Sequence, residues 1–238
     1  MRVYSTGYGR DRRRLRGEQA YADLKTRLLR GEFPLNRRLG EERLASLLGV
    51  SRTPVREALA RLHVEGLVER CPDGGFQPTI PDVAEIRHLY EVRIGLELAA
   101  LRRPGEQGTS HDHRALTDLH RDWVALAEDA PTDAGPSFVL VDESFHTGLA
   151  DAAGNPVLTD LLGQVNERIR VVRMLDFTQD GRIDRTVVEH LEILEAVLAG
   201  AIVDAERSFL AHLETSLAVV EERVAAAIAR MTTQREAP

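Results

Sequence analysis

Only one cysteine, Cys71, occurs in 238 residues. No internal disulfide framework is therefore possible, and the chain suits a reducing, cytoplasmic setting. Nowhere do roughly 20 apolar residues run without interruption, which leaves no candidate membrane span. The Arg-rich N-terminus also lacks the apolar stretch of a secretory signal. Aromatic residues are scarce, at 5% with a single tryptophan, so a core must be assembled from Leu, Val, Ile and Ala. Beyond Pro81 no strand-like alternation occurs, and such a core is that of a helical bundle.

What is present is unevenly distributed. Hydrophobic residues make up 43% and charged residues 29%, and the net charge is −7. Residues 1–78 carry 16 Lys/Arg against 10 Asp/Glu, a net +6, whereas residues 79–238 carry 15 against 28, a net −13. A basic front joined to an acidic back fits a phosphate-binding module fused to something else, although a soluble protein also reaches such an imbalance by chance.

Residues 1–17 are polar, Gly- and Arg-rich and without periodicity, and are expected to form a disordered basic arm. Residues 18–80 follow as a compact module. Tyr21, Leu24, Leu28 and Leu29 recur at helical spacing until Gly31 and Pro34. A second, short helix from Gly40 to Leu48 turns Leu44, Leu47 and Leu48 inward and stops at Gly49. Ser51 is placed to cap a third helix, with Pro54 in its first turn. Val55, Ala58, Leu59 and Leu62 form its inner face, and Gly66 ends it. Leu67–Arg70 and Phe76–Ile80 then flank the turn Pro72-Asp73-Gly74-Gly75, which predicts a β-hairpin. Three helices and a hairpin make a winged helix-turn-helix. Residues 81–230 predict an all-α antiparallel bundle of six helices, near 82–103, 111–129, 136–153, 156–176, 180–199 and 204–230. Residues 231–238 predict a disordered tail. The fold class is thus mainly α.

The tight turn at Gly49-Val50 is followed by a helix opening Ser51-Arg52-Thr53-Pro54-Val55-Arg56-Glu57. Recognition helices offer their first residues to base edges in the major groove. Arg52 and Arg56 stand four apart on one face, and each suits a guanine edge or a phosphate, with Thr53 suited to a phosphate or a thymine methyl. Taken alone, such an arginine pair describes a solvated helix face more readily. The whole string GEFPLNRRLGEERLASLLGVSRTPVREALARLHVEGLVER, however, resembles the winged-helix domain of the GntR family. That resemblance implies DNA contacts from Ser51, Arg52, Thr53 and Arg56, and a dimer reading a palindromic operator. The wing tip, Gly74-Gly75, departs from the family's usual Arg-Gly, and Glu42 stands where some members have a DNA-contacting arginine.

In the acidic part, Asp142 and His146 lie at i and i+4, a spacing that suits two ligands on one ion. His190 and His212 sit beside apolar stripes on later helices. One carboxylate and three imidazoles brought together would hold Zn, Ni or Mn; equally, buried hydrogen-bonded histidines explain the same pattern. Tyr90-Glu91-Val92-Arg93, Asp142-Glu143-Ser144-Phe145-His146, Gly154-Asn155-Pro156, Glu189-His190 and His212-Leu213 resemble, in order, the FCD effector domain of FadR-type GntR regulators. The resemblance implies a divalent metal held by Asp142, His146, His190 and His212. It also implies a small carboxylate effector paired with Arg93, with Arg173 a second candidate; both arginines would otherwise serve as structural ion pairs. His63, His88, His111, His113 and His120 are expected to be solvated, and Trp123 to pack in the core. The expectation is a ligand-responsive regulator, a repressor and not an enzyme. A metal-free acyl or organic-acid sensor is the alternative, and a hydrolase with Glu143 or Glu189 as base a distant one.

Overall fold

A computed structural model describes residues 7–30, 32–33, 37–79, 82–128, 135–178 and 180–233. The chain divides into two units, Met1–Pro81 with Ala225–Pro238, and Asp82–Val224.

The first unit contains α1 (Gly7–Leu29), α2 (Glu41–Leu48), α3 (Arg52–Val64), β1 (Val68–Arg70) and β2 (Phe76–Pro78). The helix begins at Gly7, so residues 7–17 are helical where a disordered arm was expected, and residues 1–6 lie outside the described part. Leu24, Leu44, Val55, Leu59 and Leu62 are completely buried at the meeting of the three helices. Burying each is worth about 1.5–3 kcal/mol, so this small apolar set supports the module. Leu47, expected inside, is 49% exposed. Gly49 ends α2 in the left-handed region at φ +65°, and two backbone N–H groups close back onto Ala45 and Ser46. The strands pair antiparallel, Val68 opposite Pro78 and Arg70 opposite Phe76. The hairpin turn passes through Gly74 and Gly75 at φ +89° and +84°, a left-handed backbone that favours glycine; a Cβ on Gly75 would also lie 3.1 Å from the Arg38 side chain, which would have to shift slightly.

The second unit is built from α4 (Val83–Glu106), α5 (His113–Glu128), α6 (Val139–Ala152), α7 (Pro156–Arg173), α8 (Arg182–Leu198) and α9 (Ile202–Thr233). Short 3-10 turns occupy Gly135–Phe138 and Asp176–Thr178. The caps follow the sequence. Asp82 accepts from Ala84 and Glu85 N–H, Asp112 from Arg114 and Ala115 N–H, and Asn155 from Leu158 N–H ahead of Pro156 at the first helical position. Several boundaries differ from expectation, among them the end of α4, which runs through Pro104 to Glu106 instead of stopping near residue 103. The helix expected to reach residue 176 ends at Arg173, and the chain turns so that Asp176 is buried against Arg182. The last helix continues to Thr233, and its residues from Ala225 group with the first unit, where Arg230 donates to the Arg30 carbonyl at 3.4 Å. The second unit ends at Val224.

Candidate DNA-reading helix and metal centre

In the first unit Ser51, Arg52, Thr53 and Arg56 are all exposed on the opening turns of α3, while Pro54, Val55, Ala58 and Leu59 face inward. The apolar face anchors the helix and leaves its N-terminal polar face uncovered within the unit. Ser51 has the extended backbone of an N-cap residue, but its hydroxyl makes no capping bond. The expected cap is thus positional only. The far end of α3 is tied to α1: Tyr21 donates to Glu65 at 2.5 Å, Lys25 pairs with Glu65 at 2.9 Å, and the Arg61 guanidinium lies 3.7 Å from the Tyr21 ring centroid. These contacts fix the helix at the end remote from its polar opening turn. Sequence inspection missed Glu41, which receives both Arg52 and Arg56, and Arg38, which pairs with Asp73 of the hairpin turn.

In the second unit Asp142, His146, His190 and His212 are buried, and one ligand atom from each lies within 4.8 Å of all the others. Asp142 and His146 share one face of α6, His190 comes from α8 and His212 from α9. His190 Nε2 is 3.1 Å from His212 Nε2, His146 Nε2 is 3.5 Å from Asp142 Oδ2, and His190 Nε2 is 3.6 Å from Asp142 Oδ1. Donors bound at about 2.1 Å to one ion stand roughly 3.0–3.4 Å apart, so little adjustment is needed to share one.

On two of the three imidazoles the ring nitrogen turned away from this point has a partner that sets the tautomer. His146 Nδ1 lies 2.5 Å from Glu97 Oε2, and His212 Nδ1 lies 2.7 Å from Glu189 Oε2. Placing the proton on each Nδ1 leaves Nε2 with its lone pair aimed inward. His146 Nε2 is buried and has no hydrogen-bond partner. An orphaned buried lone pair, and two imidazole nitrogens in close approach, are what a cation would satisfy. Burial pushes the His146 and His190 imidazoles down from 6.5 and His212 down to about 4, so all three are neutral at pH 7. Aromatic rings complete the surroundings: Phe145 stacks on His190 at 3.6 Å, and the Trp123 ring lies 4.5 Å from it. Trp123, expected in the core, is buried there. Of the five histidines expected to be solvated, His88 and His113 are exposed, while His111, His120 and His63 are half-buried, the last with Nδ1 3.0 Å from the Val68 carbonyl.

Two arginines take different parts. Arg173 is committed: Nη2 pairs with Asp142 Oδ2 and Nη1 donates to Asn166 Oδ1 at 3.3 Å, so it fixes the carboxylate of the cluster. Arg93 is completely buried, donates Nε to Glu97 Oε1 at 2.6 Å, and leaves Nη1 and Nη2 without partners. Burial opposes the Glu97 charge, but His146 and Arg93 outweigh it and hold the carboxyl at about 2. One ionised carboxylate thus bridges Arg93 to His146. Glu189 likewise bridges His212 to Arg182, whose Nη1 is 3.2 Å away. Glu97 and Asn166 had gone unnoticed in the sequence, and Glu189 had stood out only as a candidate base, not as the partner of His212.

Comparison with known proteins agrees with both halves. Residues 16–77 match the bacterial regulatory proteins of the gntR family, and residues 88–215 match the FCD domain. The Nta operon transcriptional regulator of Aminobacter aminovorans is 30% identical over 85% of this chain and 93% of its own. The HTH-type transcriptional repressor RspR of Escherichia coli is 26% identical over 74% of this chain and 76% of its own. The fold is similar to that of Lar, which controls expression of the Listeria monocytogenes agr system, at 21% identity and a TM-score of 0.55 over 94% of this chain and 98% of that one. With a winged helix that carries an exposed arginine pair and an all-helical second unit that gathers buried donors, the chain belongs to the GntR family, as a DNA-binding transcriptional regulator with a C-terminal FCD effector-binding domain.

Proposed function

We propose that this regulator holds a divalent cation, Zn, Ni or Mn, on Asp142, His146, His190 and His212, and senses a small organic acid beside it. The observation that carries the effector class is Arg93. Its unpaired, buried Nη1/Nη2 edge is one carboxylate removed from a metal-type donor. A buried guanidinium edge without a partner is costly, and a carboxylate satisfies it with two parallel hydrogen bonds. The bound cation supplies a second anchor for such an acid. Arg173 contributes indirectly, by holding Asp142.

A homodimer placing two α3 helices on a palindromic operator completes the reading, with Ser51, Arg52, Thr53 and Arg56 against the DNA. Repression is the direction we assign, in keeping with the relative named a repressor. The setting is cytoplasmic; among the described residues no helix is long and apolar enough to cross a membrane. A non-catalytic role fits the carboxylates that a hydrolase would need. Glu143 is held by Arg170 at 2.9 Å, and Glu189 is taken up by His212 and Arg182.

The test is a panel of mono-, di- and tricarboxylates added to metal-loaded protein bound to its operator. An acid that changes operator affinity in the wild type is expected to have at least tenfold less effect on Arg93→Lys, which keeps the charge beside Glu97 but loses the forked edge. An unchanged response would remove Arg93 from the effector site.

A further inference from the structure

The arginines of the recognition helix already have a partner. Glu41, the first residue of α2, grips Arg56 from the side: Nε donates to Oε1 at 3.0 Å and Nη2 to Oε2 at 2.8 Å. Arg52 reaches the same Oε2 through Nη2 at 3.5 Å. The arginine side chains remain 61% and 64% exposed, so Glu41 holds them without covering them. Arg56 keeps the Glu41 carboxyl below its ordinary range and hence ionised.

A guanidinium carries its N–H groups on two forked edges. Glu41 occupies the Nε/Nη2 edge of Arg56. The Nη1/Nη2 edge, the one that pairs with guanine O6 and N7, remains available. An arginine on a long flexible stem would otherwise sample many rotamers and contact any phosphate within reach. The side grip limits that freedom while leaving the base-reading edge usable.

We propose that Glu41 is a positioning residue for DNA specificity: it aims the end edge of Arg56, and secondarily Arg52, at a base instead of the sugar-phosphate backbone. This rests on reading Arg56 as a base-contacting residue. The carboxylate also repels phosphate, so Glu41 lowers affinity for DNA of any sequence while sharpening the choice among sequences.

The experiment compares an operator selected by the wild-type protein from a random duplex pool with a scrambled duplex of equal length, by fluorescence anisotropy at several salt concentrations. In Glu41→Ala the operator-to-scrambled affinity ratio is expected to fall roughly tenfold, with scrambled-duplex affinity equal to or above wild type. Equal tightening on both duplexes, with the ratio preserved, would overturn the proposal and make Glu41 a mere competitor for the arginines. In an Arg56→Ala background, Glu41→Ala should change the ratio little; a full-sized effect there would also overturn it. Failure of the underlying reading is separate, since Arg56→Ala alone would then leave operator affinity at the wild-type value. Should Glu41→Ala unfold, Glu41→Gln decides: it keeps length and one acceptor, so a smaller loss of ratio is expected, and an unchanged ratio counts against the proposal.

Discussion

Each imidazole of the cluster depends on a second residue that orients it. His146 leans on Glu97 and His212 on Glu189, whereas His190 Nδ1 has no partner and the ring is placed by stacking on Phe145. Removing an outer carboxylate typically weakens metal binding by roughly 10–100-fold. Glu189→Gln should therefore weaken zinc binding within that range, as read by competition with a chromophoric chelator, while His190→Ala abolishes stoichiometric binding. Equal affinities for Glu189→Gln and wild type would contradict the assigned role of Glu189. Protonation offers an independent check. The folded imidazoles titrate below their unfolded value of 6.5, so the unfolded chain binds more protons as the pH drops. Stability of the chelator-treated protein should be full above about pH 7 and decline towards pH 5, where its carboxylates are still ionised. A melting temperature that stays flat over this window would show that the imidazoles are not desolvated. The four cluster residues were legible from an i, i+4 pair, two later histidines and a family resemblance. Glu97 was not, because no periodicity links a glutamate on α4 to a histidine 49 residues later, and Glu189 was legible only as a candidate base.

At the scale of elements, the winged helix was nearly complete in the sequence. Gly49, Pro54, Gly66 and the Pro72–Gly75 turn are local punctuation, and local rules decide them. The errors lie where tertiary context decides. Leu47 satisfies the helical spacing of α2 yet faces outward. Residues 174–178 continue the apolar pattern of α7 but leave the helix, because burying Asp176 against Arg182 and Ser216 satisfies three buried polar groups together. Gly49→Ala tests the turn itself. No atom lies within 4 Å of the added Cβ, so the cost is backbone strain alone, about 1–2 kcal/mol. A lower melting temperature with weakened operator binding is expected, and an unaltered melting curve would deny that the left-handed turn is strained. Arg56→Ala belongs to the same scale. Operator affinity should fall by about 1–3 kcal/mol, with specificity relaxed at one base pair.

For the whole molecule, the uneven charge follows the division of the chain into two units. The basic residues 1–78 include the DNA-reading surface, while the acidic remainder carries the carboxylates that orient the metal-type cluster. Operator affinity should fall steeply and linearly in log–log form as salt rises, as for any protein that displaces counterions from phosphates. The effector is expected to act as a population shift, binding unequally to states of unequal DNA affinity. The central claim is that a cation sits at the heart of the helical unit, and Trp123, the only tryptophan, stands 4.5 Å from the His190 ring to report it. The most direct measurement is elemental analysis of the purified protein, coupled to Trp123 fluorescence during Zn²⁺ or Ni²⁺ titration after chelation. One divalent ion per wild-type chain is predicted, with a saturable fluorescence change on reloading that is lost in His190→Ala. A wild-type protein that carries no stoichiometric ion and shows no saturable response would contradict the account.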